Sequence, residues 1–466
     1  MLHRHTPLTG DSDDLLAPMF SRRQMREPIP RWEIPEGEMP PGAASQLIRD
    51  ELQLDGTPVL NLASFVTTWM EPEADSLFEL TASKNFIDAE EYPRTAEIEH
   101  RCVNMIANLF GAGAAPGEAV GTSTVGSSEA ILLAGMALKR TWQHRRTAAG
   151  LPTDSPNIVL GRHVHVCWEK LCRYFEIEPR WVPVSAGNIA LDIDAAVALV
   201  DENTIGVAAV MGNTFTGAFD DVAGLSAALD ALAERTGLDV GIHVDAASGG
   251  FVAPFAYPDL AWDFRVPRVR SINTSGHKYG LVYAGVGWAV WRNADYLPDE
   301  LLFHDNYLGN DQITFSLNFS KGAAQVVGQY YNLIRMGRQG YQGVVANMLD
   351  VSEKLSTWMH SHDRFEVVST SGALPVVTAR LIDESRFTAH DLVGVLRQRG
   401  WIVPAYTLPP NVDTTTVVRV VVREGFNDDL MDALMTDTVA ALKELDQRPP
   451  LAPTLSGASR PETRVC

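Results

Sequence analysis

A run of β-branched and apolar residues ends in small and polar ones at Ser271-Ile-Asn-Thr-Ser-Gly-His-Lys278-Tyr-Gly280. A lysine on a loop after a strand can reach into a cleft, and its amine forms Schiff bases with aldehyde cofactors. A second run, Gly241-Ile-His-Val-Asp245-Ala-Ala-Ser-Gly-Gly250, closes a hydrophobic strand on an aspartate. A carboxylate there can pair with a protonated pyridine nitrogen and keep the ring an electron sink. A third, Gly121-Thr-Ser-Thr-Val-Gly126-Ser127-Ser128-Glu129, sets glycines and hydroxyls before a helical pattern. Free N–H groups at a helix N-terminus suit an anion such as a phosphate ester. Singly, each has a plainer explanation: a surface lysine, a turn-capping aspartate, an N-cap serine. A metal site built on His163, His165, His243 and Asp245 is disfavoured, because no HExxH-type helix accompanies them.

These residues need elements to hold them, and the pattern between about 61 and 345 supplies them. Short β-branched runs at 157–160, 180–184, 206–210, 241–244, 271–273 and 286–291 alternate with helical stretches at 95–109, 127–149 and 222–235. That alternation predicts an α/β domain with a mostly parallel sheet. From 346 to 447 the pattern becomes a smaller α+β unit. It has helices at 344–360, 389–399 and 428–445, and strands near 365–369, 376–381 and 417–422. Residues 1–60 are polar and proline-rich and read as an arm with little structure before a short helix at 44–54. Residues 448–466 read as a loose tail.

The chain has 466 residues, 38 Lys plus Arg and 58 Asp plus Glu, a net charge of −20. That balance argues against nucleic-acid binding, which needs clustered positive charge. Four scattered cysteines without a CxxC pair fit a reducing, cytoplasmic compartment. No apolar run reaches the length of a membrane span, and no secretory signal is expected at the N-terminus.

In order along one α/β domain, the cradle, the strand-end Asp and the strand-end Lys form the layout expected for pyridoxal phosphate. With the segments Asn61-Leu-Ala-Ser-Phe-Val66, Asn85-Phe-Ile-Asp88, Glu90-Glu-Tyr-Pro93, Trp262-Asp-Phe-Arg265, Asn318-Phe-Ser320 and Arg423-Glu-Gly-Phe426, the chain resembles the glutamate decarboxylases of the pyridoxal-dependent group II decarboxylases. The likeness runs from about Asp50 to Phe426. It implies the aminotransferase-like fold type I, with a seven-stranded sheet, and decarboxylation of L-glutamate to 4-aminobutanoate and CO2. It implies that Lys278 forms the Schiff base and that His277 contacts the cofactor. Ser127 and Ser128 would bind the phosphate, with Ser320 contributed by a partner subunit. Asp245 would pair with the ring nitrogen and Thr214 would lie beside the ring. His165, where many members have Gln, would stack on it. Ser64, Phe65 and Asn85 would form the substrate side, and Arg423 would orient a substrate carboxylate. Tyr307, in the loop 306–309, is the expected proton donor on a closing lid.

A decarboxylase of another amino acid and an aminotransferase share this core and remain the alternatives. The resemblance implies a homodimer at least, with hexamers known among members. Calmodulin is not an expected partner, since the tail has no Trp and no basic amphipathic helix. Acid-resistance members end in a penultimate His that plugs the site near neutral pH. This chain ends Arg464-Val465-Cys466, so activity is expected to persist closer to neutrality.

Overall fold

The computed structural model describes residues 30–305 and 312–448. Tyr307 and the lid loop 306–309 lie outside the described residues, as does the tail beyond 448. The chain forms two units, divided between Leu60 and Asn61. In the first, α1 (Pro41–Leu52) opens on a proline, which costs no hydrogen bond at that position, and has no buried residue. The residues before it, from 30 to 40, form no helix or strand.

The second unit begins with α2 (Pro72–Thr81) and α3 (Pro93–Leu109), then β1 (Val120–Thr124) and α4 (Ser127–Ala148). Next come β2 (Asn157–Gly161), α5 (Cys167–Tyr174), β3 (Glu178–Val182), α6 (Ile193–Ala198) and β4 (Thr204–Val210). α7 (Val222–Thr236), β5 (Ile242–Asp245), α8 (Ala253–Ala256), β6 (Val269–Thr274) and β7 (Gly287–Trp291) follow. These strands form one seven-stranded sheet in the order β1-β7-β6-β5-β4-β2-β3. β3, β2, β4, β5 and β6 run parallel, and β7 is antiparallel to both its neighbours. β2, β4, β5 and β7 are buried at every position, which helices on both faces require. On one face Trp142 of α4 and Trp168 and Leu171 of α5 pack on Ile158 and Leu160 of β2.

The helix boundaries follow from local chemistry. Asp221 caps α7 by accepting from the Gly224 N–H at 2.8 Å, and Gly237, in the left-handed region, ends it. A hairpin of β8 (Phe303–Asp305) and β9 (Gln312–Thr314) leads to the long α9 (Ala324–Ser361), which is interrupted at Gly337 (φ 54°). Then come β10 (Phe365–Val367), β11 (Val376–Leu381), α10 (Ala389–Gln398), β12 (Ala405–Thr407), β13 (Thr416–Val421) and α11 (Asp428–Gln447). The four strands make an antiparallel sheet ordered β10-β11-β13-β12.

Several elements differ from expectation. Residues 120–124, absent from the expected strands, form the seventh strand, so only Val125 and Gly126 turn into α4. The helix expected at 344–360 starts at Ala324 and runs through the division expected at 345/346. Glycines 328, 337, 340 and 343 lower helix propensity and hide its first half. Gly328 is there for space: a Cβ would come within 2.5 Å of the Phe78 ring. The hairpin strands, three residues each, are too short to show a period.

Candidate active site

Four parallel strands deliver their C-terminal ends to one place, the usual site of an open α/β sheet. β5 ends on Asp245, β6 leads to Ser275 and Lys278, β2 leads to His163 and His165, and β4 leads to Thr214. The N-terminus of α4 adds Gly126, Ser127 and Ser128. Together they line a cavity of about 270 Å³ that also includes His277.

Lys278 donates to Ser248 Oγ at 3.3 Å. Burial lowers its pKa, against the opposing pull of the Asp245 charge. Asp245 is 4% exposed and accepts three hydrogen bonds. Trp168 Nε1 donates to Oδ2 at 3.0 Å, and Asn273 Nδ2 and the Ala247 N–H donate to Oδ1 at 2.9 and 3.1 Å. Asn273 is itself held by His243, whose Nε2 lies 2.8 Å from its Oδ1, while His243 Nδ1 lies 2.7 Å from Ser271 Oγ. His243 is therefore a wholly buried bracing group. Among the described residues no group of three or more His, Cys, Asp or Glu could hold a metal ion.

At the other end of the cavity Ser127 Oγ pairs with Ser275 Oγ at 2.7 Å. Gly126 leaves no room for a side chain, since a Cβ would lie 2.9 Å from His277 Cε1. His277 Nδ1 is buried without a hydrogen-bond partner. His165 Nδ1 sits 3.2 Å from Cys167 Sγ and accepts from the Cys167 N–H at 3.4 Å, so its proton resides on Nε2. An anion cradle, a braced carboxylate and a buried amine in one cavity make a donor set that fits a pyridine aldehyde carrying a phosphate. The unpartnered His277 nitrogen is the clearest single sign of a missing polar ligand.

The remaining residues divide. Phe65 has Lys278 Nζ 5.4 Å from its ring centroid. The next turn of chain is pinned to the lysine, with the Thr67 N–H on His277 O at 2.9 Å and Thr67 Oγ1 on Lys278 O at 2.7 Å. Ser64, beside Phe65, accepts from the Val66 N–H at 3.0 Å. Arg423 is 4% exposed, and its donors go to Val66 O (2.7 Å), Thr68 Oγ1 (2.9 Å) and Asn61 O (2.8 Å). In this structure those contacts make it a clamp on the Ser64 segment. Asn85 and Ser320 bond to each other at 3.3 Å but do not line the Lys278 cavity. Trp168, Asn273 and Ser248 went unrecognised in the sequence. Ser248 and Asn273 lie inside the quoted motifs, whereas nothing local marks Trp168, 77 residues before Asp245.

Burial and then the Lys278 charge hold His277 down at about 4. The same two causes lower His165, and burial lowers His243. Above about pH 6.5 these imidazoles are neutral folded and unfolded, so they add no pH dependence. Below it the unfolded chain takes protons that the folded one refuses, and stability is lost until the folded pKa is passed. For His277 alone the loss is about 3 kcal/mol. The urea midpoint of cofactor-free protein is expected to fall between pH 6.5 and 4.5, and to fall less steeply in His277→Asn.

Comparison with known proteins gives the same answer. The pyridoxal-dependent decarboxylase conserved domain matches residues 35–382. A glutamate decarboxylase of Solanum lycopersicum is 53% identical over 95% of this chain and 89% of its own length. One from Aliivibrio fischeri is 44% identical over 91% and 92%. The solved glutamate decarboxylase of Lactobacillus brevis superposes with a TM-score of 0.89 at 44% identity, covering 94% of this chain and all of the other. With the lysine, the braced aspartate and the anion cradle in one cavity, the chain belongs to the pyridoxal-dependent decarboxylases and, within them, to the glutamate decarboxylase family.

Proposed function

We propose that the chain decarboxylates L-glutamate to 4-aminobutanoate and CO2. The observation that carries this is the convergence of Lys278, Asp245 and the α4 N-terminus on one cavity in a chain so similar to named glutamate decarboxylases. Pyridoxal phosphate, when bound, supplies a ring that accepts the electron pair left as the bond to the α-carboxylate breaks. Lys278 offers an amine that burial makes easier to deprotonate, the form that attacks an aldehyde. Asp245 would hold a proton at the ring nitrogen, and its three donors keep the carboxylate oriented. Ser127, Ser128 and the α4 N–H groups would bind the phosphate, with His277 also in contact with the cofactor. His165 and Thr214 would face the ring. Ser64 and Phe65 form the substrate wall, and Arg423, which fastens that wall, would orient a substrate carboxylate. The proton donor to Cα is assigned to Tyr307 on resemblance alone.

Asn85 and Ser320 are tied to each other and to their own neighbourhood, where the Phe86 N–H donates to Lys321 O at 2.8 Å. Both belong in the cavity of a second copy, so the working unit is at least a homodimer. The β8–β9 hairpin supports this, because it presents Phe303 and Ile313, each more than 60% exposed. No helix among the described residues is long and apolar enough to cross a membrane, and Cys102, Cys167 and Cys172 are free and buried, which favours a cytoplasmic location.

Protein loaded with pyridoxal phosphate should release 4-aminobutanoate and one CO2 per glutamate. Stoichiometric 2-oxoglutarate would identify an aminotransferase instead. Shared sites are checked by mixing Lys278→Ala chains with Asn85→Ala chains, each inactive alone. Half of the randomly formed dimers are mixed, and each holds one intact site, so about a quarter of wild-type activity should return. No recovery after subunit exchange would contradict sharing.

A further inference from the structure

β13 and the residues just after it carry two arginines four positions apart, Arg419 and Arg423, and Arg419 has no role assigned by any motif. Arg419 is 7% exposed. Its Nη2 donates to Ala63 O at 2.7 Å, and its Nη1 donates to Thr214 O. Its Cζ lies 4.9 Å from the Phe65 ring centroid and 5.3 Å from that of Tyr406. Among the described residues no carboxylate lies within ion-pair distance of it. A buried guanidinium without a counter-charge is costly to keep. What it reaches explains its presence. Ala63 precedes Ser64 and Phe65 and lies 356 residues upstream, and Thr214 lies 205 residues upstream. One planar fork therefore joins the substrate wall to the cofactor wall, and it packs on the same Phe65 ring that faces the Lys278 ammonium.

We propose that Arg419 is a positioning residue: it ties the Ser64–Phe65 segment to the Thr214 segment and so sets the spacing between the substrate wall and the cofactor cavity. Its bearing on substrate rests on the proposed glutamate reading; the tie itself does not. Lysine keeps the charge but cannot span both carbonyls, whereas methionine keeps bulk and loses both. Hydrogen exchange on the cofactor-free protein separates the cases.

In Arg419→Met, the amides of Leu62, Val66 and Thr67 should exchange at least about 10-fold faster, with α11 amides at wild-type rates. Arg419→Lys should be intermediate, and it carries the test if the methionine variant does not accumulate. In loaded enzyme the KM for glutamate should rise about 10-fold while kcat stays within about 3-fold, with the visible absorbance of the bound cofactor retained. Wild-type exchange at 61–68 in both variants would overturn the proposal, as would uniformly faster exchange that includes α11. Faster local exchange with unchanged KM would keep the tie and overturn its bearing on substrate. A wild-type protein that fails to decarboxylate glutamate would defeat the functional reading and leave the exchange result standing.

Discussion

Replacing Lys278 by alanine is expected to lower glutamate turnover by about 10⁴-fold or more, because among the described residues no second amine lines the cavity to bond the cofactor aldehyde. Arginine, the other strong base near the site, cannot substitute: the Arg419 guanidinium is engaged on Ala63 and Thr214. The phosphate cradle is untouched by the change, so the variant should still bind pyridoxal phosphate weakly but lose the visible absorbance of the covalent form. Absorbance and turnover should disappear together. A Lys278→Ala enzyme with wild-type turnover would remove the basis of the functional reading. Folding gives no escape, since the lysine side chain makes a single 3.3 Å hydrogen bond, to Ser248, and thermal melting should be nearly unchanged.

Asp245→Asn is expected to cost about 10³-fold in kcat with a much smaller change in KM. The amide matches the carboxylate in shape but cannot stabilise a proton at the ring nitrogen, and without that proton the ring draws electrons poorly. The substitution also conflicts with the bracing. Trp168 Nε1–H and Asn273 Nδ2–H both point at carboxylate oxygens, and an asparagine must set its own NH₂ against one of them. A buried donor facing a donor costs about 1–3 kcal/mol, so a modest drop in melting temperature should accompany the kinetic loss. Asp245→Glu, which keeps the charge but lengthens the arm, should fall between the two. A kcat within about 3-fold of wild type for Asp245→Asn would show that ring protonation is not the work of this residue.

Much of the sheet was legible because parallel strands buried on both faces read as β-branched runs between helical stretches. All six expected strands of the large sheet are present with ends within about three residues. β1 was hidden because its residues, Val-Gly-Thr-Ser-Thr, look like a turn. Tertiary pairing with β7 overrides that composition, and Gly121 is needed where a Cβ would come 2.7 Å from Ala289 O. The first half of α9 was hidden by glycines for the same kind of reason. Arg423 shows the limit at the level of a single side chain. Its type suits a substrate carboxylate, and only the folded chain shows that its Nη atoms also hold Val66, Thr68 and Asn61.

By itself the sequence determined the chemistry. Lys278, Asp245 and Ser127–Ser128 each sit in a short motif at a strand end or helix start, where a few neighbouring residues dictate the local backbone. Only the tertiary structure decided how those groups are held. Trp168 reaches Asp245 across 77 residues, Arg419 joins Ala63 to Thr214 across hundreds, and Asn85 pairs with Ser320 across 235 while standing apart from the cavity of its own chain. Contacts between distant stretches leave no period and no local motif, because they depend on packing that exists only once the sheet has formed.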